Sequence, residues 1–331
     1  MSTVSLGRNG PRVSSLGLGC MGMSGMYGPA DRAESIATIH AALESGITLL
    51  DTGDFYGSGH NELLIHEALR AHPRDAVLLS VKFGALRDPA NGWVGNDTRP
   101  AAMKNFLAYS LQRLGVNYID IYRPARLDPQ VPIEDTVGAI AEMVKAGYVR
   151  YIGLSEVGVD TLRRAAAVHP ICDLQIEYSL MSRGMEKEIL PALRELGVSV
   201  TAYGILSRGL LSGHVPAPGT RGDIRSLRMP RFQRENLQRN LKLVEALQRI
   251  AAEKHATPAQ LAIAWVCSRG TDIVPLIGAR RRQQLSEALA ALKLQLDAGD
   301  LARIEAAVPA EQVAGTRYDA AQMTHLDSES H

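Results

Sequence analysis

The sequence predicts an α/β protein closed into a (β/α)8 TIM barrel. Short apolar runs alternate with helical patterns along the 331 residues, and strand–helix alternation gives a parallel sheet. There are eight such runs, at 16–19, 48–50, 77–81, 118–122, 149–154, 173–177, 199–202 and 273–277. They are short and apolar, as strands covered on both faces are. A doubly wound open sheet is the runner-up. It is disfavoured because no G-x-G-x-x-G turn opens a helix: Gly17, Gly19 and Gly22 lead into MSGMYGP instead.

The elements follow in order. Residues 5–13, turning at Asn9-Gly10, read as a small N-terminal β-hairpin able to plug the barrel's bottom. Helical patterns occupy 32–45, 61–71, 100–114, 133–146, 159–168 and 185–196, with a long stretch from 234 to 268. Gly46, Gly115, Gly147 and Gly197 sit just past helices, where a left-handed C-cap favours glycine. Asp160 and Thr257-Pro258 read as helix starts. Two stretches break the rhythm: a Gly/Asn/Asp-rich insertion at 86–98, after strand three, and a Gly/Pro/Arg-rich loop at 204–233, after strand seven. Both enlarged loops leave C-terminal strand ends, where barrel enzymes build their sites. Residues 1–331 are read as one domain, with 310–331 a polar tail expected to lie as a surface strap or to be partly disordered.

Composition narrows the function. Thirty-six Lys+Arg against 35 Asp+Glu is not the balance of a protein built to hold nucleic acid. An apolar fraction of 46% is that of a folded chain. Cys20, Cys172 and Cys267 have neither metal nor redox spacing and read as reduced, buried thiols. His60, His66, His169 and His214 show no ligand spacing, so no metal is expected. The first ten residues carry no apolar signal core, and no run approaches the roughly 20 residues that span a bilayer. A cytoplasmic enzyme without a membrane or nucleic-acid partner is the expectation.

Its chemistry gathers at strand ends. Strand two runs into Asp51 and the turn carrying Tyr56; strand three ends at Lys82. A phenol with an ordinary pKa of about 10 holds its proton too tightly to share it readily. A lysine cation within about 4–6 Å favours the phenolate, and Asp51 can hold that lysine charged and in place. Tyr56 is then a general acid for a carbonyl oxygen.

At this point the chain resembles the aldo-keto reductases. LGLGCMGMSGMYG, DTGDFYGSGHNE, SVKFG, YIDIYRPARLDP, VRYIGLSEV, QIEYSL, AYGILSRGLLSG and PLIGARRRQQLSEA fall in that family's order. The resemblance implies NADPH-dependent reduction of an aldehyde or ketone, with Tyr56 as proton donor, Lys82 as its modulator and Asp51 as the partner of Lys82. The family's fourth catalytic residue, a histidine, falls on Ala125 here, so Arg126 beside it becomes the candidate donor. The run PARLDP and the run GLSEV resemble a branch that includes pyridoxal reductases, which makes pyridoxal a candidate substrate.

The resemblance also implies a cofactor site for NADP(H). Ser155 and Gln175 match residues that hold the nicotinamide carboxamide, while Glu156 stands where asparagine is usual. Tyr203 matches the aromatic that stacks on the nicotinamide ring. Gly204, Leu206, Ser207, Arg208 and Gly209 offer small residues and a charged donor for the pyrophosphate. Gly278, Arg280, Gln284 and Glu287 lie at a helix start after strand eight, where barrels bind phosphate, and three successive arginines from Arg280 to Arg282 suit a 2′-phosphate. Met23, Met26, Tyr27, Phe55, Trp93, Arg126 and the tail are the expected substrate pocket. Two other readings stay open: a non-catalytic, cofactor-sensing subunit of the same fold, and a metal-free barrel isomerase that binds no nicotinamide cofactor.

Overall fold

The computed structural model describes residues 1–90, 92–213, 215 and 223–329. Eight parallel strands close into a barrel in chain order: β1 (Gly17–Gly19), β2 (Leu49–Gly53), β3 (Leu78–Phe83), β4 (Ile119–Pro124), β5 (Val149–Ser155), β6 (Ile171–Glu177), β7 (Ser199–Tyr203) and β8 (Ile273–Ile277). The predicted (β/α)8 barrel is the observed one. Six helices, α1 (Arg32–Glu44), α2 (His60–Leu69), α3 (Pro100–Leu114), α4 (Ile133–Lys145), α5 (Val159–Val168) and α6 (Ile189–Leu196), pack outside the first six intervals. Most of the core lies between this helical ring and the strands. A Cβ at Gly17 of β1 would stand 2.6 Å from Leu276 Cδ2, so a larger residue there would displace that side chain.

The N-terminal hairpin pairs Thr3–Ser5 with Arg12–Ser14. Its Leu6 and Val13 enter the barrel's lower end and bury against Leu49, Ile121, Cys172 and Val274. Gly7 N–H donates to Ser199 Oγ at 2.7 Å, and Arg8 N–H to the Gly197 carbonyl at 2.7 Å. The hairpin therefore closes the bottom, and ligands can enter only from the opposite, C-terminal mouth.

Two segments differ from expectation, and between them the helix start expected at Thr257-Pro258 is observed. The insertion after β3 is itself a small sheet, Ala85–Arg87 against Trp93–Asn96. The helical stretch from 234 to 268 is two helices, Arg234–Glu253 and Pro258–Cys267. The break falls where His255 takes φ +51 and Thr257 opens the second helix with a reciprocal cap to Gln260. The tail crosses the mouth as a strap, yet it is not a surface feature: Arg317 and Leu326 are buried. No helix among the described residues is long and apolar enough to cross a membrane.

Candidate active site

The barrel interior becomes polar as it rises. Arg123 of β4 is fully buried and pairs with Asp173 at 2.7 Å. Gly153 gives this pair room, because a Cβ there would lie 2.6 Å from Asp173 Oδ1. Arg123 also donates to Ser80 Oγ at 3.0 Å, and Ser80 Oγ donates to Asp51 Oδ2 at 2.8 Å. Asp51 accepts from Lys82 Nζ at 2.5 Å and from Gln175 Nε2 at 2.8 Å. Four strands thus fix one carboxylate, which in turn fixes the Lys82 ammonium. None of Ser80, Arg123 and Asp173 stands out in the sequence, where each reads as an ordinary strand residue.

Tyr56 sits on the turn above β2. Its N–H donates to the Gly53 carbonyl at 3.0 Å, and its ring meets Phe55 edge-on, centroids 4.8 Å apart. Asn61 pins this turn to the loop after β1: it accepts from Thr52 Oγ1 at 2.6 Å and donates to the Cys20 carbonyl at 2.9 Å and Ser24 Oγ at 2.8 Å. Lys82 Nζ stands 5.1 Å from the Tyr56 ring centroid. The Tyr56 hydroxyl makes no hydrogen bond among the described residues and faces the cavity.

The proton affinity of this phenol corrects the sequence-based expectation. Burial pushes its pKa well above the ordinary value, and the Asp51 charge pushes the same way. The Lys82 ammonium does not offset this; it is engaged by Asp51, and burial holds its own pKa down. Burial and the Asp51 charge thus both favour the protonated phenol. Two residues away, burial and the Glu62 charge push Asp54 up to about 7. Its unfolded value is near 3.9. Stability from its protonated form is complete below that value and is lost as pH rises to about 7. Asp54→Asn removes this loss, so the melting temperature of the variant relative to wild type should rise between pH 5 and pH 8. A gap independent of pH would contradict the assignment.

A cavity of about 490 Å3 opens at the mouth. Asp51, Tyr56 and Lys82 line it, as do Met26, Tyr27, Phe55, Trp93, Ala125 and Arg126. Met23 does not; it is a core residue, and Met21 lines the cavity instead. The strap lines it as expected of the tail, through Tyr318, Gln322, His325 and Leu326, which the sequence did not single out individually. Their only signal was two aromatic-ring residues in a polar tail. His325 meets the Trp93 ring edge-on at 4.3 Å between centroids.

The expected cofactor residues divide. Ser155, Gln175, Tyr203, Gly204, Leu206, Arg208, Gly209, Gly278, Arg280, Gln284 and Glu287 line the same cavity. Ser155 Oγ is buried and has no hydrogen-bond partner among the described residues. Ser207 is turned away, its Oγ accepting from Arg231 at 3.2 Å. Arg208 reaches Glu177 at 3.0 Å rather than lying free. Arg280 donates to the Tyr27, Gly28 and Pro29 carbonyls, Arg281 makes no side-chain hydrogen bond or ion pair among the described residues, and Arg282 pairs with Glu34 on the surface at 2.9 Å. An orphaned buried hydroxyl at one end and uncompensated guanidinium charge at the other fit a long anionic nucleotide.

Glu156 faces neither. At φ +53 it turns under the strap, where Arg317 donates both terminal nitrogens to it at 2.9 and 2.8 Å. Ser328 Oγ, Tyr203 Oη and the Glu177 N–H complete its partners. These donors hold its carboxyl well below the usual range despite full burial. His60 contacts Ser24, His66 the Leu114 carbonyl and His169 the Pro170 carbonyl; His214 lies outside the described residues.

Fold and site together define a barrel oxidoreductase with a tyrosine, lysine and aspartate at its mouth. The Aldo/keto reductase family profile matches residues 15–309. A relative named probable aldo-keto reductase 1, from Glycine max, is 42% identical over 318 residues, covering 95% of this chain and 91% of that one. Among solved structures, the glycerol dehydrogenase AKR11B4 of Gluconobacter oxydans superposes with a TM-score of 0.83 at 29% identity, covering 95% of this chain and 97% of that one. The aldo-keto reductase AKR11C1 of Bacillus halodurans gives 0.78 at 27% identity, covering 94% and 97%. The chain belongs to the aldo/keto reductase family, whose members are oxidoreductases of carbonyl groups.

Proposed function

We propose that the protein reduces an aldehyde or ketone with NADPH, Tyr56 giving the proton. The observation that carries this is the Tyr56 hydroxyl, unbonded among the described residues, in one cavity with the Asp51–Lys82 pair and the orphaned Ser155 hydroxyl. Ser155 and Gln175 would hold the carboxamide, Tyr203 the ring, and Arg280 with Arg281 the 2′-phosphate. The cofactor, when bound there, supplies the hydride. Tyr56 holds the proton at Oη for the carbonyl oxygen, with the Asp51-held Lys82 ammonium 5.1 Å from its ring centroid. The strap over the mouth limits water at the reacting carbon. Ala125 brings only a methyl group, so that position offers no hydrogen-bond donor to the substrate oxygen.

An NADPH-oxidation screen over pyridoxal, methylglyoxal and aromatic aldehydes tests this reading. Steady turnover supports it. Tight NADPH binding with no turnover of any carbonyl would assign the non-catalytic, cofactor-sensing role instead. Cofactor choice gives a second expectation: Arg280→Ala should raise KM for NADPH about tenfold or more, in line with loss of one charged hydrogen bond. NADH should change far less. Equal changes for both would remove Arg280 from the 2′-phosphate.

A further inference from the structure

The charges lining the cavity do not balance. Lys82 is paired with Asp51, Arg208 with Glu177 and Arg225 with Asp223. Arg126, Arg280 and Arg281 line the same cavity with no carboxylate within ion-pair distance among the described residues. A half-buried guanidinium gains little from neutral partners alone; it binds most strongly to an anion held by two parallel N–H donors. Arg126 has only neutral partners: its own Ala125 carbonyl at 2.6 Å and Tyr318 Oη at 3.3 Å. Glu156, the negative group whose charge reaches it, is already held by Arg317.

Barrel order separates these cations. Arg280 and Arg281 follow β8, whereas Arg126 follows β4, four strands away in either direction around eight. One phosphate cannot serve both rims. The cofactor residues lie from β5 round to β8, which leaves the β2–β4 side, with Tyr56, Lys82 and Arg126, to the substrate. Arg126 is also close enough for its charge to act on the Tyr56 phenol.

We propose that the substrate is a carbonyl compound bearing an anionic group, a carboxylate or a phosphate ester, which Arg126 grips beneath Tyr318 while the carbonyl meets Tyr56. This rests on the reductase reading above. It makes Arg126 a specificity residue that takes over substrate orientation on a rim where Ala125 offers no donor. Tyr318, bonded to both Arg126 and Tyr203, ties this grip to closure of the strap.

The test compares matched pairs with NADPH: benzaldehyde against 4-carboxybenzaldehyde, and pyridoxal against pyridoxal 5′-phosphate. In the wild type the anionic member of at least one pair should have the higher kcat/KM by about tenfold to a hundredfold, through KM. The pair with the larger ratio assigns carboxylate or phosphate. Arg126→Gln should bring that ratio towards one, and Arg126→Lys should restore part of it, since lysine keeps the charge but not the fork. Should Arg126→Gln not fold, 4-methylbenzoate should still inhibit the wild type competitively against benzaldehyde. Turnover of neutral aldehydes with no preference for either anion, or a ratio unchanged in Arg126→Gln, overturns the proposal and leaves the reductase reading intact. Absence of turnover with every aldehyde removes both.

Discussion

Tyr56→Phe should lower kcat/KM for reduction of 4-nitrobenzaldehyde by NADPH about 10²–10⁴-fold, the usual worth of a positioned general acid. The substitution deletes one oxygen and keeps the ring that packs on Phe55, so melting temperature and NADPH affinity should stay near wild type. The direction of the pKa shift sharpens this. Burial and the Asp51 charge keep the phenol protonated, so the wild-type rate should not fall between pH 6 and pH 9 through loss of the Tyr56 proton. Near wild-type turnover in the phenylalanine variant would place the proton donor elsewhere.

What the sequence made legible follows from how local each feature is. A strand's end can be read from its own residues, and a closed parallel barrel sends every C-terminal strand end to one mouth. Asp51, Tyr56 and Lys82 were therefore visible together. Partner choice across the barrel is not local. Arg208 reads as a phosphate donor from its glycine-rich loop, but Glu177, 31 positions earlier, takes its guanidinium. Glu156 stands beside Ser155 where the family has asparagine, and its role was not legible there, because it is set by Arg317, 161 positions later. The proton affinity of Tyr56 was misjudged for a related reason. Proximity of Lys82 argues for a lower pKa, whereas burial depends on the whole mouth, strap included.

The strap supplies the second large effect. Arg317→Met should destabilise the fold by on the order of 3 kcal/mol, because it leaves Glu156 charged, wholly buried and without its cation. Arg317 also reaches Glu177 at 3.5 Å and Glu329 at 2.7 Å, so one substitution loosens three carboxylates. The sign with pH follows from the depressed pKa of Glu156. Stability from its charged form is present above the unfolded value of about 4.3 and is lost as pH falls towards the folded value. In the variant, burial without the cation raises the Glu156 pKa, so the melting-temperature gap between wild type and variant should be largest at the alkaline end and shrink as pH falls and the variant's carboxyl takes up a proton first. Adding Glu156→Gln to Arg317→Met should recover part of the loss, since no uncompensated charge then remains at that position. KM for the aldehyde should rise in the single variant, because Tyr318, next to Arg317, lines the cavity and donates to or accepts from Tyr203 at 2.9 Å. A pH-independent gap, or a double variant no more stable than the single one, would show that the strap is held by its apolar contacts and not by this ion pair.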